Sequence, residues 1–196
     1  MMDRRHVLIG LTASAALAPS MALALNENQA RDLITAVIDD INTVIASGKS
    51  EGAMIRDFER IFARYSDTSY ISAYAMGVDG RRASTAQKRA FSDAFQAYVA
   101  QKYGRRFREF IGGRLEVKGV RRVKRWYEVD TTAFLQGQAP FNVTFHVSDR
   151  TGQNLFFNMF IEGVNLLLTE RTEIGALLDQ NRGDIDAMIA DLRRLS

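Results

Sequence analysis

The chain has 196 residues, of which 46% are hydrophobic, and its 26 basic and 23 acidic residues leave a formal net charge of +3 at pH 7. So small an excess argues against a nucleic-acid-binding protein, because such proteins concentrate basic residues against the phosphate backbone. The sequence contains no cysteine, which excludes disulfides and a lipid anchor attached through cysteine. The length suits one domain with a sizeable hydrophobic core.

Residues 1–24 have the pattern of a cleavable signal peptide. A basic start that includes Arg4 and Arg5 precedes an apolar stretch at 7–18, which is too short to span a bilayer. Small residues follow at the positions that signal peptidase accepts, so we expect the mature chain to begin near Leu25. The adjacent arginines favour the twin-arginine export route. The alternative is a buried amphipathic first helix.

Segment 26–112 is predicted to be helical. Apolar residues from Glu27 to Ala46 recur at intervals of three and four, which indicates an amphipathic helix. A second such pattern ends near Tyr65, and a shorter helix is predicted from Ile71 to Met76. A loop is expected at 77–80.

The longest predicted helix carries a stripe of aromatic side chains. Ser84 or Thr85 is its expected N-cap, because a hydroxyl oxygen accepts a hydrogen bond from the first turn. Gly112-Gly113 is expected to end the helix. Since phosphate-binding glycine loops precede a helix, this pair does not indicate a nucleotide site.

The pattern then changes to an alternation of period two, which is typical of β-strands. Four strands are predicted within the sheet region 114–162: one from Leu115, one from Trp126 to Leu135, one from Phe141 to Val147 and one from Leu155 to Ile161. The fourth strand is apolar at nearly every position. We therefore expect it to be central and covered on both faces.

Helical periodicity returns in 164–195. The order of helices, four antiparallel strands and helices predicts an α+β fold, in which helices pack on one face of the sheet. The expected organisation is a single domain over 25–196.

Few residues of this sequence are suited to catalysis or metal binding. His146 is the only histidine after position 24, and it lies on the polar side of an alternating strand. There is no G-x-S-x-G motif, and a metal site would have to consist of carboxylates alone. We expect neither a metal nor a cofactor.

Basic residues form two clusters, which are either solvated surface charges or contacts for anionic headgroups or an acidic partner. One contains Arg105, Arg106 and Arg108, and the other contains Arg121, Arg122, Lys124 and Arg125. Large apolar side chains are also abundant on the longest helix and on two strands. Such residues fill cores but also line ligand pockets, and composition does not separate the two.

The particular residues carry more information than the pattern. Phe160 to Leu166, followed by Glu170 and Arg171, resembles the "v-x-EGvSlv…yR" segment of the MlaC family. Asn165 stands in place of the family's serine and Glu170 in place of its tyrosine. A second segment resembles the family's "lG…wR-x-at…Q…F…F…Y" stretch through Tyr74 to Gly77, Arg82-Ala83-Ser84, Gln87, Phe91, Phe95 and Tyr103.

The MlaC family consists of periplasmic phospholipid carriers. The resemblance implies a four-stranded antiparallel NTF2-like curved sheet, packed by N- and C-terminal helices around a hydrophobic cavity. It implies a soluble, non-enzymatic shuttle that carries phospholipid between an inner-membrane MCE-domain/ABC transporter complex and an outer-membrane lipoprotein complex. We expect the carrier to be a monomer.

Under this interpretation, apolar side chains on the longest helix, the strands and the following helix line the lipid cavity, although either face of the strands could point inward. The expected lining residues are Phe91, Phe95, Tyr98, Val99, Phe107, Phe141, Val143, Phe145, Phe157, Met159, Ile161 and Leu166. For headgroup or partner docking we expect Arg82, Arg121, Arg122 and Arg171.

Two alternatives remain open. One is an NTF2-like isomerase or hydratase with Glu128, Asp130 and His146 as acid and base residues inside the cone of the sheet. The other is a docking module that binds no ligand, for which we would expect a closed, well-packed core.

Overall fold

The computed structural model describes residues 25–105 and 113–196. Its helices are α1 (Glu27–Ala46), α2 (Glu51–Tyr65), α3 (Thr68–Met76), a 3-10 helix (Gly77–Arg81), α4 (Thr85–Gly104), α5 (Leu166–Gln180) and α6 (Ile185–Leu195). Its strands are β1 (Arg114–Val123), β2 (Trp126–Phe134), β3 (Phe141–Ser148), β4 (Leu155–Ile161) and β5 (Val164–Asn165). They form one antiparallel sheet in the order β1-β2-β3-β4-β5, which confirms the predicted α+β fold. None of the described helices has the length and apolar character that a membrane span requires.

Side-chain caps set the starts of the helices. Ser84 caps α4 as predicted, and the Gln87 side chain bonds back to the Ser84 backbone in a reciprocal capping box. Helix α3 begins at Thr68, earlier than the apolar period indicated. The reason is that Asp67 accepts a hydrogen bond from the backbone N–H of Tyr70 and so caps an additional turn.

Helix α4 ends at Gly104 within the described part of the chain. The predicted continuation to Gly112 falls on residues 106–112, which lie outside the described residues. A Cβ placed on Gly104 would lie 3.0 Å from Cγ1 of Ile55, so α2 and α4 approach closely there. The predicted loop after α3 is instead a turn of 3-10 helix.

Strand β4 lies inside the strand order, as predicted, but its second neighbour is short. It pairs along its length with β3, and on its other side Phe160 and Ile161 pair with β5 while Phe156 forms an isolated bridge with Ser66. This fifth strand, absent from the prediction, is too short to show any periodicity. Strand β4 also contains a bulge, because Val147 pairs with Phe156 while His146 pairs with Asn158, leaving Phe157 unpaired.

The bulge changes which residues of β4 point to the inner face of the sheet. On one side of it Phe156 shares a face with Val147, and on the other Met159 shares that same face with Phe145. Even-numbered residues before the bulge and odd-numbered residues after it therefore point to the inner face of the sheet. On the other face Phe160 contacts His146, and no residue of β4 is exposed, so the strand is covered on both faces as predicted.

Two large clusters of buried side chains, with a smaller one between α1 and α2, hold the described part of the fold together. The sheet core joins α1 to the inner face and contains Leu25, Ala30, Ile34, Val37, Ile38, Tyr65, Tyr127, Val129, Ala133, Val143, Phe145, Val147 and Phe156. The helix core joins α3, α4, α5 and α6 and contains Ile71, Ala75, Met76, Ala83, Phe91, Ala94, Phe95, Val99, Leu167, Ile174, Leu178, Ile185, Met188, Ile189 and Leu192.

Candidate functional site

A cavity of about 570 Å³ lies between the inner face of the sheet and the helices. Its walls come from β1, β3 and β4, from α1 to α5 and from the loop at Gln138 to Pro140. The wall is mainly apolar, and its volume is in the range of about 300–1,000 Å³ that is usual for small-molecule pockets. The described residues therefore surround a space that their own side chains do not fill.

Most of the side chains predicted to line a cavity are in its wall. These are Phe95, Val99, Phe141, Val143, Phe145, Phe157, Met159, Ile161 and Leu166. Phe107 lies outside the described residues. The register of the sheet decides which strand face points inward: Val143 and Phe145 of β3 lie opposite Ile161 and Met159 of β4.

Phe91 and Tyr98 are not among the residues that line this cavity. Phe91 is 1% exposed in the helix core and stacks on Phe95 with ring centroids 5.4 Å apart. The Tyr98 hydroxyl donates to Oε2 of Glu173 on α5 at 2.8 Å. Helix α4 contacts both the cavity and the helix core, so its aromatic stripe is wider than the cavity face alone.

Sequence reasoning missed the contribution of the first two helices. Val37 and Ile41 of α1 and Phe58, Ile61 and Phe62 of α2 all line the cavity. The signal was available, because each belongs to an amphipathic stripe. Periodicity, however, does not tell a filled interface from an open one.

A polar cluster that the sequence did not indicate reaches the cavity through two of its members. Lys102 Nζ lies 2.8 Å from Oε1 of Glu170 and 2.5 Å from Oε2 of Glu173. The Tyr103 hydroxyl donates to the same Glu170 Oε1 at 2.5 Å. Tyr103 and Glu170 both line the cavity. We call Tyr98, Lys102, Tyr103, Glu170 and Glu173 the α4–α5 polar cluster.

The cluster shifts the pKa values of its members. Burial alone lowers the pKa of Lys102, but hydrogen bonds to Glu170 and Glu173 outweigh it and raise the pKa above its usual value. Burial, with Glu170 next to the hydroxyl, raises the pKa of Tyr103. Burial and the hydrogen bond to Glu173 raise the pKa of Tyr98 to about 12. At neutral pH the lysine is therefore charged and both tyrosines are protonated.

Two of the arginines predicted for docking lie among the helices. Arg82 donates from Nε to Oδ1 of Asp79 at 3.0 Å. The guanidinium of Arg171 lies 5.2 Å from the centre of the Tyr74 ring. Both arginines lie close to the 3-10 helix. Asp79 belongs to that helix, and a Cβ on Gly77 would lie 3.2 Å from Nε of Arg171.

The other two arginines lie near the hairpin that joins β1 and β2. Arg121 pairs with Glu128 across the strands, and the exposed Arg122 is opposite Tyr127. The four arginines are thus divided between the helices and the sheet hairpin.

Glu128, Asp130 and His146 lie on the outer face of the sheet. Glu128 is opposite His146 in the register, while the neighbouring pair Val129 and Phe145 faces inward. His146 Nε2 lies 3.4 Å from Oε1 of Glu128, and burial lowers the pKa of this imidazole. These side chains point away from the cavity, so they do not supply the inward acid and base that the enzyme alternative requires.

Together these features define an α+β protein in which an antiparallel sheet and helices surround an apolar ligand cavity. Residues 31–194 match the family model described as MlaC protein, so the chain belongs to the MlaC family. The family resemblance of the sequence is thereby confirmed.

The fold is also similar to that of a phospholipid-binding protein from Ralstonia solanacearum, solved in complex with a phospholipid. The TM-score is 0.73, and the match covers 85% of this chain and 96% of that chain. Sequence identity is 16%, so this likeness is one of fold.

Proposed function

We propose that the protein is a periplasmic phospholipid carrier, which shuttles lipid between an inner-membrane MCE-domain/ABC transporter complex and an outer-membrane lipoprotein complex. The observation that carries the proposal is the apolar cavity of about 570 Å³ between the sheet and the helices. Membership of the MlaC family and the phospholipid bound to a protein of the same fold support it. Binding and release of lipid require no catalytic residue.

The energetics of an acyl chain suit such a carrier. Burying a methylene group releases about 0.8 kcal/mol relative to water, so a chain of about 15 methylenes gains roughly 12 kcal/mol. A bilayer offers the same gain, so exchange between carrier and membrane is close to balanced. A passive binder favours neither direction, and the direction of transport must therefore come from the partner complexes.

The open cavity argues against a docking module that binds no ligand, for which we expected a closed core. Within the proposal, residues 25–196 act as a single lipid-binding domain. Residues 1–24 act as the signal peptide, with Arg4 and Arg5 as the twin-arginine pair, and these residues lie outside the described part of the chain.

Native mass spectrometry of the purified protein tests the proposal. After incubation with phospholipid vesicles, we expect a lipid-bound species in addition to the free chain. Leu166→Asp places a carboxylate in the cavity wall, and its desolvation should lower the bound fraction at least about tenfold. Leu168→Asp is the matched control, because Leu168 lies on the same helix but is 51% exposed.

If the wild-type protein neither co-purifies with phospholipid nor takes it up from vesicles, the carrier function is rejected. Equal loss of lipid in both variants would show that the effect is not specific to the cavity.

A further inference from the structure

We propose that Glu170, together with Lys102 and Tyr103, forms a headgroup subsite in the cavity wall that binds the primary ammonium group of a phospholipid. This inference rests on the proposed carrier function and adds a lipid class to it. It predicts a carrier that selects aminophospholipids over lipids with anionic headgroups.

The first argument is the position of the α4–α5 polar cluster. The Glu170 side chain is 5% exposed and Glu170 lines the cavity, whereas the side chains of Lys102 and Glu173 are 27% and 43% exposed. The cluster therefore runs from the surface, between α4 and α5, to the cavity wall. When the acyl chain of a lipid lies among the apolar residues, its headgroup would contact this polar part of the cavity wall.

The second argument is an unsatisfied acceptor. Oε1 of Glu170 accepts hydrogen bonds from both Lys102 and Tyr103. Oε2 is buried and accepts none from residues 25–105 and 113–196. Native proteins seldom leave a buried carboxylate oxygen without a partner, and a bound ligand is one reason for such an exception. An ammonium N–H donor supplies the missing hydrogen bond.

The third argument is charge. Within the α4–α5 polar cluster the cation of Lys102 faces two carboxylates, those of Glu170 and Glu173. Burial alone raises the pKa of Glu173, but hydrogen bonds from Lys102 and Tyr98 outweigh it and lower the pKa, so this carboxylate is ionised at neutral pH. One positive charge against two negative charges leaves the cluster net anionic. It therefore attracts a cationic group and repels a headgroup whose only charge is the phosphate.

Glu162 provides a matched comparison. It is a second glutamate in the cavity wall, but it is exposed and its Oε1 already accepts a hydrogen bond from the backbone N–H of Asn142. Glu162→Gln removes one carboxylate from the cavity wall without touching the proposed subsite.

The experiment loads the full mature chain from vesicles of equal parts phosphatidylethanolamine and phosphatidylglycerol and measures the bound lipids by native mass spectrometry. We expect the wild type to favour phosphatidylethanolamine by about tenfold, the value of one charge-assisted hydrogen bond. Glu170→Gln should abolish most of this preference among the lipids that remain bound. Glu162→Gln should keep the wild-type ratio.

A second measurement uses the wild-type protein alone and does not depend on a variant that folds. The vesicles contain equal parts phosphatidylethanolamine, whose ammonium has N–H donors, and phosphatidylcholine, whose ammonium has none. We expect the protein to bind more phosphatidylethanolamine. Soluble phosphoethanolamine in excess tests the free headgroup. If it displaces no lipid, binding depends on the acyl chains; if it competes, the subsite recognises the headgroup alone.

Lipid bound without headgroup preference, or a preference that Glu170→Gln leaves intact, would overturn the subsite while the carrier function stands. Absence of any bound lipid would instead remove the carrier function.

Discussion

At the scale of single residues, Tyr98 and Lys102 join α4 to α5 and do not line the cavity. Tyr98 was expected to contact lipid, yet its hydroxyl bonds to Glu173 and its ring lies 5.6 Å from Nζ of Lys102. Its partner on α5 is 75 residues away along the chain. The role of this tyrosine is therefore to join α4 to α5.

This contact predicts a loss of stability at high pH. The pKa of Tyr98 is about 12 in the folded state, raised by burial and by Glu173, and about 10 in an unfolded chain. The folded state thus retains the proton to higher pH than the unfolded chain. The stabilisation that the Tyr98 hydroxyl contributes is therefore complete below pH 10 and is lost as the pH rises towards 12.

Chemical denaturation across this pH interval measures the effect. Tyr98→Phe should unfold more easily at pH 8 and show a shallower decline above pH 10, since the titrating hydroxyl is gone. A decline as steep as that of the wild type would place the titration elsewhere.

At the scale of elements, helix α4 is the structural centre of the protein. Its apolar residues contact the cavity on one side and the helix core on the other, and Gly104 lets it approach α2. Close packing of this kind tolerates added atoms poorly. In the sheet, the bulge at Phe157 shifts the alternation of β4, so that Met159 and Ile161 point to the same inner face as Phe156.

The same substitution in two helices tests the close approach. Gly104→Ala should destabilise the protein by about 1 kcal/mol, because the new Cβ meets Ile55 at 3.0 Å and the overpacking exceeds the gain in helix propensity. Gly175→Ala is the control: no atom of residues 25–105 and 113–196 lies within 4 Å of its Cβ position, so the variant should gain roughly 0.5–1 kcal/mol of stability. In thermal unfolding, the midpoint temperature should fall for Gly104→Ala and rise for Gly175→Ala. Shifts of the same sign would contradict the packing argument.

At the scale of the whole molecule, the N-terminal end of the described chain meets the sheet. Leu25 is 8% exposed in the sheet core, and its backbone N–H donates to Oδ2 of Asp149 at 2.9 Å. Cleavage before Leu25, as the proposed signal peptide requires, would turn this amide into an ammonium group. The hydrogen bond would then become an ion pair, which is stronger.

A double-mutant cycle tests this consequence of processing. Asp149→Asn should destabilise a chain that begins at Leu25 by about 1 kcal/mol more than a chain that carries extra residues before it. Equilibrium denaturation of the four proteins gives the coupling. Equal losses of stability in both backgrounds would show that the charge of the new terminus does not contribute to the interaction with Asp149. The intact mass of the exported protein reports the cleavage position independently.

The sequence alone determined the features that depend on neighbours along the chain. The bounds of α1, the Ser84 cap and the strands from Phe141 and Leu155 all follow from local hydrogen bonds and side-chain period, and the motif around Glu162 indicated the family. Only the tertiary structure decided which side of α4 faces the cavity, where the β4 bulge lies and that Glu170 meets Lys102 from 68 residues away. The physical reason is that periodicity records that a side chain is covered, whereas packing across the fold decides what covers it.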